Sequence, residues 1–190
     1  MVMKNKGIMG IGALIIFIAL ILIAAVAAAV LILTAGSLQQ KSLSTGGQAE
    51  EGVSTGAELM SVMATDATSG NTVEDFEVLL RLQSGSQTIN LNTTVVIFDT
   101  VSTLQNMEYS GGTSYNTTHY GVSYLKKSLN YLPGYLSTGD IIKIEFASAI
   151  NVTESSKITL KIIPRVGQPI VKKIPTPDVM TDKRISIWPT

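Results

Sequence analysis

The 190-residue chain reads as an α+β protein, a long N-terminal hydrophobic α-helix followed by an antiparallel β-sandwich. Three observations predict this. An uncharged stretch free of proline extends from Gly7 to Gln40, and in an apolar setting a helix is the structure that satisfies so long a backbone by itself. From about residue 58 the hydrophobic pattern changes to strict alternation. Turn-forming clusters then punctuate the rest of the chain at short intervals.

The helix comes first. From Ile8 to Leu33 about 26 consecutive residues are apolar or small, enough to cross a bilayer. Sixteen of them are Leu, Ile, Phe or Val, so insertion is favourable by about 5–10 kcal/mol. Lys4 and Lys6 hold the N-terminus in the cytoplasm and leave the body outside. Three fates are open to such a run. It is a permanent single-span anchor, a secretory signal cut near Ala25-Val26-Ala27, or a helix that the finished protein keeps. The apolar run resumes as VLIL after those alanines, where a secreted domain usually has a polar start. The segment is apolar all round, as suits a helix surrounded by neighbours. Ala24, Ala25, Ala27, Ala28 and Ala29 are small enough for close backbone approach. Gly10 and Gly12 weaken the first turns by roughly 1 kcal/mol each relative to Ala.

The next segment, SLQQKSLSTGGQAEEGVSTGAEL, is polar and contains no proline. A helix continues through Lys41 toward Gly46-Gly47, which either stops it or is a weak point in a longer one. Beyond that, VEDFEVLLRL places Phe76, Val78, Leu80 and Leu82 on one face, with Glu77 and Arg81 on the other. DIIKIEF groups Ile142, Ile144 and Phe146; KITLKI groups Ile158, Leu160 and Ile162; RISIW adds Ile185 and Ile187. Turns fall at Ser84-Gly85-Ser86, Gly111-Gly112, Pro133-Gly134 and Gly139-Asp140. Seven or eight short strands in roughly 130 residues, each with one apolar face, make an antiparallel sandwich.

Composition excludes several kinds of chemistry. Lys plus Arg and Asp plus Glu each number 14, so no basic excess argues for nucleic acid. There is no cysteine, and His119 is the single histidine. Disulfides, thiolate metal sites and a Ser/His triad therefore lack support, and His119 reads as a polar loop residue. GIGALI lacks the third glycine and the preceding strand of a dinucleotide loop. Asp99, Asp140 and Asp182 show no cation-ligand spacing. No cofactor or metal is expected, and the chain is not expected to be an enzyme.

Three N-glycosylation sequons occur, at Asn92, Asn116 and Asn151, and the predicted topology puts all of them outside the cell. Asn116 has the most loop-like context. All six tyrosines fall between Tyr109 and Tyr135. They form either a contact patch or, as the favoured reading, ordinary strand and half-buried packing.

KNKGIMGIGALIIFIALILIAAVAAAVLILTAGSLQQKS strongly resembles the start of archaeal flagellins (archaellins). Their GIG, FIA, AAVAA and LQQK elements correspond to Gly10–Gly12, Phe17–Ala19, Ala24–Ala28 and Leu38–Lys41. The resemblance implies a basic leader carrying Lys4 and Lys6, cut between Gly7 and Ile8 by an aspartic prepilin peptidase on the cytoplasmic face. Gly12 stands where bacterial type IV pilins commonly carry glutamate, which favours the archaeal branch. SGSQTINLNTTVV, LSTGDIIKIEF and TPDVMTDKRISIWPT are also similar to archaellin segments, whereas roughly Thr103 to Pro133 is not matched. The resemblance implies a leader (1–7), an assembly helix with its polar continuation (8–56) and an immunoglobulin-like outer sandwich (57–190). Gly10, Gly12, Phe17, Ala24, Ala25 and Ala28 are its candidate assembly residues.

The implied function is that of a structural subunit of the archaellum filament. It would polymerise with copies of itself into an extracellular propeller for swimming, after transient insertion in the cytoplasmic membrane. A separate membrane motor would assemble and turn it. The resemblance also implies N-glycosylation, which is common in the family. An archaeal type IV adhesion pilin and a membrane-anchored surface binding domain are the alternatives.

Overall fold

The computed structural model describes residues 3–67 and 72–189, with side chains from residue 9 onward. The chain forms two compact units, Met1–Gln48 and Ala49–Thr190.

A single helix, α1 (Met3–Ser54), accounts for 52 residues, about 78 Å at ~1.5 Å per residue. Every residue from Met9 to Glu50 is exposed. Two hydroxyls at the end of the apolar run are satisfied inside the helix. Thr34 donates to the carbonyl oxygens of Val30 and Leu31 at 2.9 and 3.0 Å, and Ser37 donates to that of Thr34 at 2.9 Å. Gly46 and Gly47 lie within the helix and do not stop it. No atom outside the helix backbone stands within 4 Å of where their Cβ atoms would be, so they are weak points of about 1 kcal/mol each.

Among the described residues eleven strands follow: β1 (Ala57–Ala64), β2 (Thr72–Leu82), β3 (Ile89–Asn90), β4 (Val95–Asp99), β5 (Leu104–Tyr109), β6 (His119–Lys126), β7 (Tyr135–Leu136), β8 (Ile141–Thr153), β9 (Lys157–Ile163), β10 (Ile170–Pro175) and β11 (Ile185–Trp188). Nine form one continuous sheet in the order β10-β9-β4-β5-β6-β8-β2-β1-β11, and β3 pairs with β7. Two of the strands beyond the expected seven or eight, β3 and β7, are two-residue pieces too short for alternation to reveal.

The sheet folds into two layers, β11-β1-β2-β8-β6 against β5-β4-β9-β10. Between them the Phe98 ring of β4 lies 4.7 Å from Phe76 of β2 and 5.2 Å from Phe146 of β8. The strand pairings are antiparallel except β5 with β6, which run parallel through Glu108–His119 and Tyr109–Tyr120. Here the chain passes from one layer to the other, and residues 110–118 loop back so that both strands run the same way.

The alternating residues named from the sequence build this core. Phe76, Val78, Ile142, Ile144, Phe146, Ile158, Leu160 and Ile187 are each 1% exposed or less. At about 25 cal/mol per Å², each such side chain contributes roughly 1.5–3 kcal/mol of burial energy. Tyr120 is also fully buried, its hydroxyl 3.0 Å from the carbonyl oxygens of both Leu91 and Thr94. One expected outward residue departs from the pattern. Glu77 is on the outer face but only 4% exposed, because Lys143 and Arg184 close over its carboxylate.

Candidate assembly helix and modification sites

The candidate assembly residues can be placed on the helix by angle. At about 100° per residue, Gly10, Phe17, Ala24 and Ala28 fall within about 40° of one another, over about 27 Å of length. Ala25 flanks this stripe, and Gly12 lies on the far side. The structure therefore brings four of the six together on one narrow face with small residues at both ends. Around them Ile, Leu and Val side chains stay exposed on every side. Lys4, Lys6, Gly7 and Ile8 lie on the helical backbone, but their side chains fall outside the described residues.

The end of the helix is held by two loops that sequence reading missed. The Thr55 carbonyl accepts the backbone N–H of Gln168 at 2.8 Å, and the Gln168 side-chain amide donates to the Val53 carbonyl at 2.9 Å. From the other side, Gln83 N–H donates to the Gly56 carbonyl at 3.0 Å. The Ser86 hydroxyl accepts from Gly56 N–H and donates to the Gly56 carbonyl, both at 3.0 Å. The carbonyls that any helix end leaves open are thus met by loops from opposite layers. Gly167 was the one local clue, and a glycine between β9 and β10 reads as an ordinary turn.

The three sequons differ in geometry. Asn116 is exposed, and its Oδ1 accepts three bonds: from Thr118 N–H at 2.8 Å, His119 N–H at 2.7 Å and the Thr118 hydroxyl at 3.0 Å. The sequon threonine thus binds its own asparagine, and the carbonyl oxygen is fully engaged. Asn92 sits in a 3₁₀ turn with its amide against Gly134, and Thr94 is 3% exposed and donates to the Asn90 carbonyl at 2.8 Å. Asn151 lies on β8, and the Thr153 hydroxyl is engaged with Ser156 at 2.9 Å.

The tyrosines mostly pack. Tyr109 lies against Tyr120 with ring centroids 5.7 Å apart, and Tyr124 meets Tyr131 edge-on at 4.8 Å. Burial pushes the Tyr124 phenol up to about 12. Tyr115 is exposed. Among the described residues, no three His, Asp or Glu groups converge in metal-holding geometry, and His119 Nδ1 is 2.9 Å from the Thr118 hydroxyl.

Comparison with known proteins joins these features. A model of the archaeal-type flagellin family matches residues 7–173. Flagellin B2 of Methanocaldococcus jannaschii is 32% identical over 91% of this chain and 90% of its own length. Flagellin B5 of Pyrococcus abyssi is 30% identical over 96% and 99%. The fold matches the archaeal flagellum of Methanospirillum hungatei with a TM-score of 0.69 at 15% identity, over 90% of this chain and 94% of that one. Crystalline flagellin FlaB1 of M. jannaschii matches with a TM-score of 0.63 at 16% identity, over 70% and 96%. These matches do not favour the adhesion-pilin or anchored-binding alternatives. The chain belongs to the archaeal-type flagellin family, and its role is structural, not enzymatic: it is a self-assembling subunit of the helical filament of the archaeal flagellum, outside the cell.

Proposed function

We propose that the subunit is made as a membrane-held precursor, cut between Gly7 and Ile8 by a prepilin peptidase, and then moved from lipid into the filament core. The observation that carries this reading is the helix itself, apolar on every side and exposed from Met9 to Glu50. Transfer from lipid to a helix bundle gains little hydrophobic energy, because both surroundings are apolar. Close packing along Gly10, Phe17, Ala24 and Ala28 supplies the preference, with the larger Phe17 ring seated between neighbouring helices. Lys4 and Lys6 leave with the leader, so the only charge left at the new N-terminus is the α-ammonium of Ile8. Residues 1–7 are then the leader, 8–56 the assembly segment and 57–190 the outer domain. Torque comes from a separate membrane motor. Asn116 is the glycan acceptor of choice, since its exposed amide is presented by a turn that its own threonine closes.

N-terminal sequencing of filaments sheared from cells tests the processing step, with Ile8 as the expected first residue. An intact Met1 in the filament, or a start near Ala28, would overturn it. Mass spectrometry of the same filaments is expected to find a glycan on the peptide containing Asn116. An unmodified Asn116 beside a modified Asn92 or Asn151 would reverse the choice of site.

A further inference from the structure

The outer domain has two ends of opposite electrical character. Strand register defines them. Arg81 pairs with Glu58 and Ile141, and Ile141 with Lys126, so the β6–β7 loop lies at the end where the helix enters. The β9–β10 loop joins it there through the Gln168–Thr55 bond. Thr72 pairs with Thr153, and Ala64 with Ile185. Together with the Ser155–Pro177 backbone bond, these place the β8–β9 and β10–β11 loops at the opposite, distal end.

The helix-side end is basic and apolar. Lys126, Lys127 and Arg165 are exposed and make no ion pair among the described residues. Lys127 is steadied over the Tyr131 ring at 4.5 Å. Beside them Leu129 is fully exposed and Leu132 about half exposed. The one carboxylate in the β6–β8 connection, Asp140, is buried and accepts the backbone N–H groups of Ser128 and Ser137. It presents no charge to the surface.

The distal end is acidic on balance, with Asp66, Glu74, Asp75, Glu154, Asp178 and Asp182 set against Lys157, Lys183 and Arg184. Asp178 and Asp182 flank Val179, which is 66% exposed, with Glu154 on the adjoining loop. Asp178 is fixed by the Ser155 hydroxyl at 2.7 Å. Val101, 84% exposed, tips the neighbouring β4–β5 loop. Each end therefore pairs exposed aliphatic side chains with an excess of one sign of charge, basic beside the helix and acidic at the distal end. A monomer has no use for a leucine as bare as Leu129 two residues after a pair of exposed lysines.

We propose that the helix-side end of one outer domain docks on the distal end of a neighbouring copy, with Leu129 and Leu132 against Val179 and Lys126 and Lys127 facing Asp178 and Asp182. The proposal rests on the filament reading above. Two unlike surfaces at opposite ends of one domain form a heterologous contact that need not close, which is what an open helical polymer requires. Like ends repel, so the charges also set the direction of stacking. Asn116 stands on neither set of loops, leaving room for a glycan.

The absence of native cysteine makes the test direct. Filaments carrying both Leu129→Cys and Val179→Cys are treated with a short thiol-to-thiol linker. A ladder of covalent oligomers is expected from the double variant and none from either single variant. Normal filaments without a ladder, or a ladder from Leu129→Cys alone, overturn the proposal. Charge exchange gives a second readout. Lys126→Glu with Lys127→Glu is expected to cut recovered filament about fivefold or more at fixed salt. Adding Asp178→Lys and Asp182→Lys is expected to restore it, and a combined variant no better than the first sinks the idea. Filaments that start at Ile8 yet fail both tests leave the processing reading intact and remove only this contact.

Discussion

Gln168 donates its backbone N–H to the carbonyl oxygen of Thr55 at 2.8 Å, closing a parallel bridge between the β9–β10 loop and the end of the helix. The residue before it makes the approach possible. Gly167 has φ near +116°, and a Cβ there would stand 2.8 Å from that same carbonyl oxygen. An L side chain meets both a strained backbone and a steric clash.

Gly167→Ala is therefore expected to cost about 2–3 kcal/mol, combining the conformational penalty with displacement of Thr55. Gly85 provides the control, with φ +83° and open space around it, so Gly85→Ala is expected to cost only about 1 kcal/mol. Thermal melting should separate the two by several degrees, at about 2–4 °C per kcal/mol. Equal melting temperatures would mean that the helix end is not anchored there.

The alternating core strands were legible because each buries one face, so Phe76, Ile142, Ile144 and Leu160 announce themselves by period. The helix was legible because lipid and helix bundle both demand an unbroken apolar run. Its far end was not. Gly46-Gly47 resembles a stop signal, yet helix ends are decided by what receives the last carbonyls, and Gln168 and Ser86 come from distant sequence. The parallel β5–β6 pair was hidden for a similar reason: residues 110–118 carry no periodicity, and their path is set by a close backbone contact over Gly121. Among the sequons, all three match one pattern. What separates Asn116 is the partner chosen by each threonine hydroxyl, which the local backbone turn sets and the three-residue pattern does not encode.

That contact over Gly121 is severe. A Cβ on Gly121 would lie 2.4 Å from the carbonyl oxygen of Thr113 and 2.7 Å from its carbonyl carbon. Both are backbone atoms, so the loop must lift as a body. Gly121→Ala is expected to destabilise by about 1–3 kcal/mol and to break the Val122 N–H bond to the Gly112 carbonyl, 2.8 Å in the native chain. Hydrogen exchange at Val122 should accelerate while core amides such as Ile144 change less. Unchanged protection at Val122 would show that the loop is not seated on β6.

The ion pairs on the outer face should differ in worth. Glu77, 4% exposed, is shared by Lys143 at 2.8 Å and by Arg184, while Lys143 also reaches Glu145 at 2.8 Å. Burial alone would lower the Lys143 pKa, but its bonds to the two carboxylates outweigh this and hold it above the usual lysine value. Lys143→Met leaves a nearly buried carboxylate with one partner, at an expected cost of about 1–3 kcal/mol. Arg81→Met breaks only the exposed Glu58 pair, worth about 0–1 kcal/mol. Denaturant unfolding of both variants decides the matter, and an equal loss would contradict the difference in burial.

Asp75 is the group whose charge works against the fold. Burial raises its carboxyl pKa, and Asp66, Glu74 and Glu145 raise it further. A native pKa above the unfolded value means that the folded state binds the proton more tightly. The favourable contribution is therefore fully present below the unfolded value, near 3.8, and is lost as pH rises through the raised native value. At neutral pH the carboxylate is held at a disadvantage. Asp75→Asn removes the charge and keeps the shape, so it is expected to melt above the parent at pH 7. Solvent screening limits the gain to about 0–1 kcal/mol. The gap should narrow as pH falls through the carboxylate range, because the parent then gains its own proton. Added salt should narrow it too, by screening the three neighbouring carboxylates. Paired melting curves at neutral and acidic pH measure this directly. A lower melting temperature for Asp75→Asn at pH 7 would mean that the carboxylate is supported, and the repulsion from its neighbours would then not be what governs the site.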